Sequence, residues 1–238
     1  MKYGNVLLIF CLLPSGCDQS QDQTTVTPPP VEKKRLLKVP VLKHKGSQMT
    51  LDAEVLTEMD WLVRSGLYDK ADLMRVFCEE MYAPGDLDET LVSTAIDERL
   101  AAHRAAQKNW PAVTDCDRLD QAFNRMEKRG LITIQNAGNT QTDGYEIFQV
   151  YLEEHPQPDT VIGYCFYHNQ DLERAVGGLP LYLAFGPVDP KEEETKGVEI
   201  GNIVREELER GGLEVEWQGT FNDRLCVPGM VWQKRIPE

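Results

Sequence analysis

Two short polar segments hold the side chains best suited to chemistry. The first runs from Asn136 to Gly144 and offers Asn136, Asn139, Thr140, Gln141 and Asp143; the second runs from His168 to Arg174 and offers His168, Gln170 and Asp171. An imidazole near carboxylates is the set that acid–base catalysis needs, with His168 paired to Asp143 or Asp171. Amides and hydroxyls around it suit the recognition of a small polar ligand. Each segment also has a structural reading. Thr140 and Asp143 stand at capping-box spacing, Asn169 can cap a helix, and Glu173 and Arg174 read as surface charges.

Other combinations are weaker. Cys165 and His168 invite comparison with a thiol dyad, but residues three apart on a strand face opposite ways unless the strand ends between them. Asp115, Asp117 and Asp120 could form a carboxylate metal site, yet acids at a helix start cap free N–H groups and match the dipole. On that reading Arg118 and Arg125 offset their charge. No phosphate loop, dinucleotide fingerprint, HExxH or GxSxG occurs, so no cofactor and no metal is expected. The last serine is Ser93, which excludes a serine nucleophile from everything that follows it. Cys78, Cys116, Cys165 and Cys226 form no CxxC pair and read as buried thiols.

The elements that must position these residues follow from periodicity. Leu51, Val55, Met59 and Leu62 recur at helical spacing up to Gly66, and Leu73, Val76, Phe77 and Met81 repeat the pattern. A longer helix is expected over about 87–108. Thr114 and Asp117 form a capping pair before the stripe Leu119, Ala122, Phe123 and Met126, which stops at Gly130. From Leu131 the period changes. Strands are expected at 131–135, 161–167, 181–185, 213–217, 225–227 and 231–235, the last two forming an antiparallel hairpin. Helices near 147–152, 169–176 and 200–208 separate the earlier strands. The fold class is therefore mixed α/β (α+β), with N-terminal helices packed on a mixed sheet of about five strands flanked by helices. If the strands at 131 and 161 are parallel neighbours, both polar segments meet at one sheet edge, where open α/β folds bind ligands.

The chain has 238 residues and a formal charge of −14; seven of its 25 basic residues but only three of its 39 acids lie before residue 49, so the remainder is more acidic still. Such a field repels phosphate backbones and argues against nucleic-acid binding. Lys2, the apolar run Val6–Leu13 and the small residues before Cys17 read as a signal or lipoprotein-type leader over 1–16, with Cys17 the lipidation candidate. Residues 17–48 read as a linker, first Gln- and Pro-rich (Pro28, Pro29, Pro30), then basic. Residues 49–238 read as one globular domain, helical over 49–130 and α/β over 131–238. Export, with membrane association only through the leader or a lipid, is the expectation; a cytoplasmic location is the alternative.

Three stretches carry a family resemblance. They are Trp110-Pro111 with Thr114-Asp115-Cys116-Asp117-Arg118-Leu119, then Gln135-Asn136-Ala137-Gly138 with Thr140 and Asp143-Gly144, and finally Phe166-Tyr167-His168 with Gln170-Asp171-Leu172-Glu173-Arg174-Ala175. Over roughly residues 70–236 the chain resembles an uncharacterised bacterial family of unknown function. The resemblance implies no activity, cofactor or catalytic residue. It implies a cytoplasmic setting for many members, from which a leader would be a departure. The functional expectation is a module that binds a small polar ligand or a protein partner. The alternative is an enzyme, a hydrolase using His168 with Asp143 or Asp171.

Overall fold

The computed structural model of the protein describes residues 50–236. The leader, Cys17 and the linker lie outside the described residues. Helix α1 (Ala53–Ser65) starts where the Asp52 carboxylate accepts the Val55 N–H at 2.9 Å, and stops at Gly66, whose φ of 71° few other residues tolerate. Helix α2 (Lys70–Arg75) opens on an Asp69–Asp72 capping box and widens into a π turn over Val76–Glu80. Helix α3 (Glu89–Gln107) is capped by Asp88. These three bury Val55, Met59, Leu73, Phe77, Val92 and Ile96 together, giving the helical part its own core. Between α3 and the C-terminal segment, His103 Nε2 lies 3.0 Å from the Lys234 carbonyl oxygen and its ring meets Trp110 edge-on.

Helix α4 (Asp115–Lys128) begins with the Thr114–Asp117 capping box that the spacing predicts. Asp115, Asp117 and Asp120 are engaged by cations rather than gathered for a metal. Arg118 takes Asp115 at 2.6 Å, Arg235 takes Asp117 at 2.6 Å, and Lys234 takes Asp120 at 2.9 Å. Arg125, expected to neutralise these acids, instead holds Glu207 at 2.8 Å.

The sheet follows. Strand β1 (Leu131–Ile134) leads through helix α5 (Gln141–Glu153) to β2 (Gly163–Phe166), and the two strands are parallel neighbours with Leu131 opposite Gly163. Helix α6 (Asn169–Val176) then returns the chain to β3 (Leu181–Pro187), antiparallel to β2. Helix α7 (Glu193–Arg210) precedes β4 (Leu225–Val227), antiparallel to β3, so the order is β1-β2-β3-β4. Side chains alternate between faces as the pleat requires. Ile132, Ile134, Tyr164, Phe166 and Ala184 pack on α5, while Leu131, Cys165, Leu181, Leu183 and Phe185 face α4, α6 and α7.

Among the described residues the sheet has four strands where about five were expected. Leu213–Trp217 contributes a single bridge, in which Glu216 and Cys226 exchange backbone hydrogen bonds of 2.9 and 3.0 Å. Residues 231–235 make no hairpin with β4, whose antiparallel partner is β3. Their backbone donors go to side chains: the Val231 N–H to Asp115 Oδ2 at 3.0 Å and the Gln233 N–H to Cys116 Sγ at 3.3 Å. A chain so engaged has no ladder to offer. Among the described residues no helix is long and apolar enough to cross a membrane.

Candidate functional site

The β1–α5 turn is built by its backbone. Asn136 sits at φ 55° and Gly138 at φ 68°, and a Cβ on Gly138 would run into the Asp143 side chain. Asp143 Oδ2 accepts the N–H groups of Asn139 at 3.0 Å and Thr140 at 2.9 Å, while Thr140 Oγ1 accepts the Asp143 N–H at 3.3 Å. That reciprocal cap fixes the start of α5 and occupies Asp143.

The β2–α6 turn lies directly beside it. The Ala137 N–H donates to the Tyr167 carbonyl at 2.8 Å, and the Asn169 N–H donates to the Gly138 carbonyl at 2.8 Å. The two crossings therefore meet at one rim of the sheet, but their side chains part there. Asn136 turns to the helical part, its Nδ2 donating to the Tyr68 hydroxyl at 2.8 Å. Asn139, Thr140 and Gln141 are exposed on the α5 side. His168, Gln170 and Asp171 line a cavity of about 730 Å³ between α6, β3, β4 and the 216–224 loop. None of the five β1–α5 residues lines that cavity.

At its wall stands a buried cluster. His168 and Asp171 are 6% and 3% exposed. Arg224 approaches the Asp171 carboxylate with both terminal nitrogens, Nη1 at 3.1 Å from Oδ1 and Nη2 on Oδ2, and Nη2 also donates to the Tyr182 carbonyl at 3.0 Å. Oδ2 further accepts the His168 N–H at 3.2 Å and lies 3.2 Å from His168 Nε2. Burial holds the His168 pKa below its ordinary 6.5; the Asp171 charge opposes that shift, Arg224 adds to it, and Asp143 opposes it more weakly. The Nε2 contact with Asp171 Oδ2 becomes an ion pair only when the ring is protonated. Among the described residues, the buried His168 Nδ1 and Arg224 Nε have no hydrogen-bond partner.

Aromatic faces complete the lining. The guanidinium groups of Arg174 and Arg224 stand 5.6 and 5.7 Å from the centre of the Tyr182 ring. Trp217 spends its indole N–H on the carbonyls of Thr220 and Asp223. Cys226, also in the wall, has its thiol pushed up by burial, with the Tyr182 hydroxyl drawing it down again in part. Cys165 is fully buried and its thiol is raised strongly by desolvation, so neither cysteine is an activated nucleophile. Among the described residues, no group of three His, Cys, Asp or Glu side chains could hold a metal ion.

Arg224, Tyr182 and Trp217 escaped the sequence reading. Arg224 precedes a strand of three residues and belongs to no motif, and only the pairing of β4 with β3 brings it to α6. Arg174, read as a surface charge, is indeed exposed, but on the cavity side.

The chain matches, over residues 48–236, a family described as a domain of unknown function (DUF6891). The chain belongs to this family. The match begins before α1, so the DUF6891 domain takes in the helical part as well as the α/β part. No curated protein and no solved structure matches the chain.

Proposed function

We propose that this domain is a binding module whose cavity between α6, β3, β4 and the 216–224 loop takes a small polar ligand. The observation that carries the reading is the Arg224–Asp171–His168 cluster on the wall of a cavity of about 730 Å³. That volume suits a small organic molecule. The buried ion pair stiffens the wall, and a buried imidazole nitrogen without a partner is rare enough to ask for a reason. The lining holds no thiol poised for attack, which favours recognition over covalent chemistry.

The test is differential scanning fluorimetry of the full chain against a panel of small carboxylates, phosphates, amines, amino acids and sugars. At least one compound is expected to raise Tm by several degrees, and the rise is expected to vanish in Gln170→Ala and Arg224→Met. A panel without effect, or a rise indifferent to both variants, would overturn the reading. The second reading, a hydrolase, draws on the free Nδ1 of His168 alone. It calls for a neutral-pH rate dependence that His168→Ala abolishes. We further propose that export places the domain outside the cytoplasm. Lys2 and the apolar run Val6–Leu13 support it, and fractionation of cells making the full chain or Cys17→Ser tests both export and lipidation.

A further inference from the structure

The charges around the cavity are unevenly matched. Asp171 and Arg224 neutralise each other. Arg174 forms no ion pair among the described residues; it rests on the Tyr182 ring, which orients its guanidinium without reducing its charge. Glu216 and Asp223 also face the cavity, and no Lys or Arg among the described residues pairs with either. Asp223 Oδ2 accepts the Thr220 hydroxyl at 2.6 Å. One unmatched cation and two unmatched carboxylates thus border one space. Arg174 and Glu216 line the same cavity and do not pair with each other.

Opposite charges that share a cavity without pairing select against single-sign ligands. A simple anion drawn to Arg174 meets Glu216 and Asp223, and a simple amine drawn to the carboxylates meets Arg174. A molecule carrying both signs satisfies each. The amides of Gln218 and Asn222 can serve a peptide-like group between the two charges, and the rings of Tyr182 and Trp217 offer an apolar face to a side chain. From this arrangement we infer that the ligand is a zwitterion of the amino-acid class, a free amino acid or a short peptide with free ends, its carboxylate on Arg174 and its ammonium between Glu216 and Asp223. This inference rests on the binding reading and narrows it.

Isothermal titration of the full chain with the twenty protein amino acids, and with glycyl dipeptides of each, separates the two sources of that chemistry. For each binder, the N-acetyl derivative and the carboxyl amide are titrated alongside. The zwitterion is expected to bind at least tenfold more tightly than either blocked form. Arg174→Gln is expected to erase the preference over the amide, and Glu216→Gln combined with Asp223→Asn the preference over the N-acetyl form. All three side chains lie at the cavity mouth or in its loop, outside the buried Asp171–Arg224 pair, so the variants are expected to fold, which an unchanged circular dichroism spectrum checks. Blocked forms that bind as well as the parent overturn the inference. So does silence of every amino acid and dipeptide while another compound of the wider panel binds, and the binding reading then survives. If nothing in the wider panel binds, both fall.

Discussion

Asp171 gathers both terminal nitrogens of Arg224, the His168 N–H and the His168 ring on two carboxylate oxygens, and it is 3% exposed. Removing one partner of such a pair costs far more than the pair contributes, because the remaining charge is stranded. Asp171→Ala is expected to destabilise the fold by about 3–5 kcal/mol, toward the lower figure because the Arg224 side chain keeps 27% exposure and some water. Urea denaturation measures it, and a loss under 1 kcal/mol would refute the structural weight given to the cluster. The histidines set a pH dependence. Burial lowers the pKa of His168, and it lowers that of His103 against the pull of the Lys234 carbonyl. The unfolded chain therefore takes up protons first as pH falls past about 6.5, at a slope of up to about 1.4 kcal/mol per pH unit for each group. The stability they lend is whole above that pH and declines below it, until the folded histidines themselves protonate. Denaturation midpoints between pH 7.5 and 5 should show the decline, and His168→Gln and His103→Gln should each flatten it.

Helix α5 must lie close on the sheet, and Gly144 permits it. A Cβ there would fall on the Phe166 ring, which is itself stacked on Tyr164 at 5.6 Å and 1% exposed. Alanine is the better helix former by about 1 kcal/mol. Overpacking a filled core costs about 1–3 kcal/mol, and the ring has nowhere to move. Gly144→Ala is thus expected to lower Tm, and a rise would show that α5 can ride outward freely. Much at this scale is legible in sequence. The Thr114–Asp117 and Thr140–Asp143 pairs announce two helix starts, and the run from Gly163 to Phe166, buried throughout, reads as an inner strand. The segment Leu213–Trp217 alternates like a strand yet forms one bridge, because alternation reports which residues are buried and not whether a partner edge is free.

The C-terminal segment 230–236 ties the molecule together. Met230 enters the core under the sheet and Ile236 enters the core of the helical part. Between them Trp232 Nε1 donates to the Ser65 carbonyl at 2.9 Å, and Lys234 and Arg235 hold the acids of α4. Ending the chain after Gly229 removes two buried apolar side chains and uncovers those acids. It is expected to cost at least about 4 kcal/mol. Hydrogen exchange should rise at the start of α4 and the end of α1 together; exchange confined to the new terminus would show the two parts hold without the tie.

Local rules acting within a few residues, such as caps, glycine stops and apolar periods, let the sequence alone point to the helices, the inner strands and the class of fold; the meeting of the β1–α5 and β2–α6 turns depended on β1 and β2 being parallel neighbours, which the tertiary structure decided. The sequence could not tell which side chains would share a cavity. Asp143 and Asp171 stand at like positions after neighbouring strands, yet one is spent on its own helix and the other is claimed by Arg224, 53 residues along the chain. That pairing exists only because β4 lies against β3, and strand pairing across such distances is settled by the packing of the whole molecule.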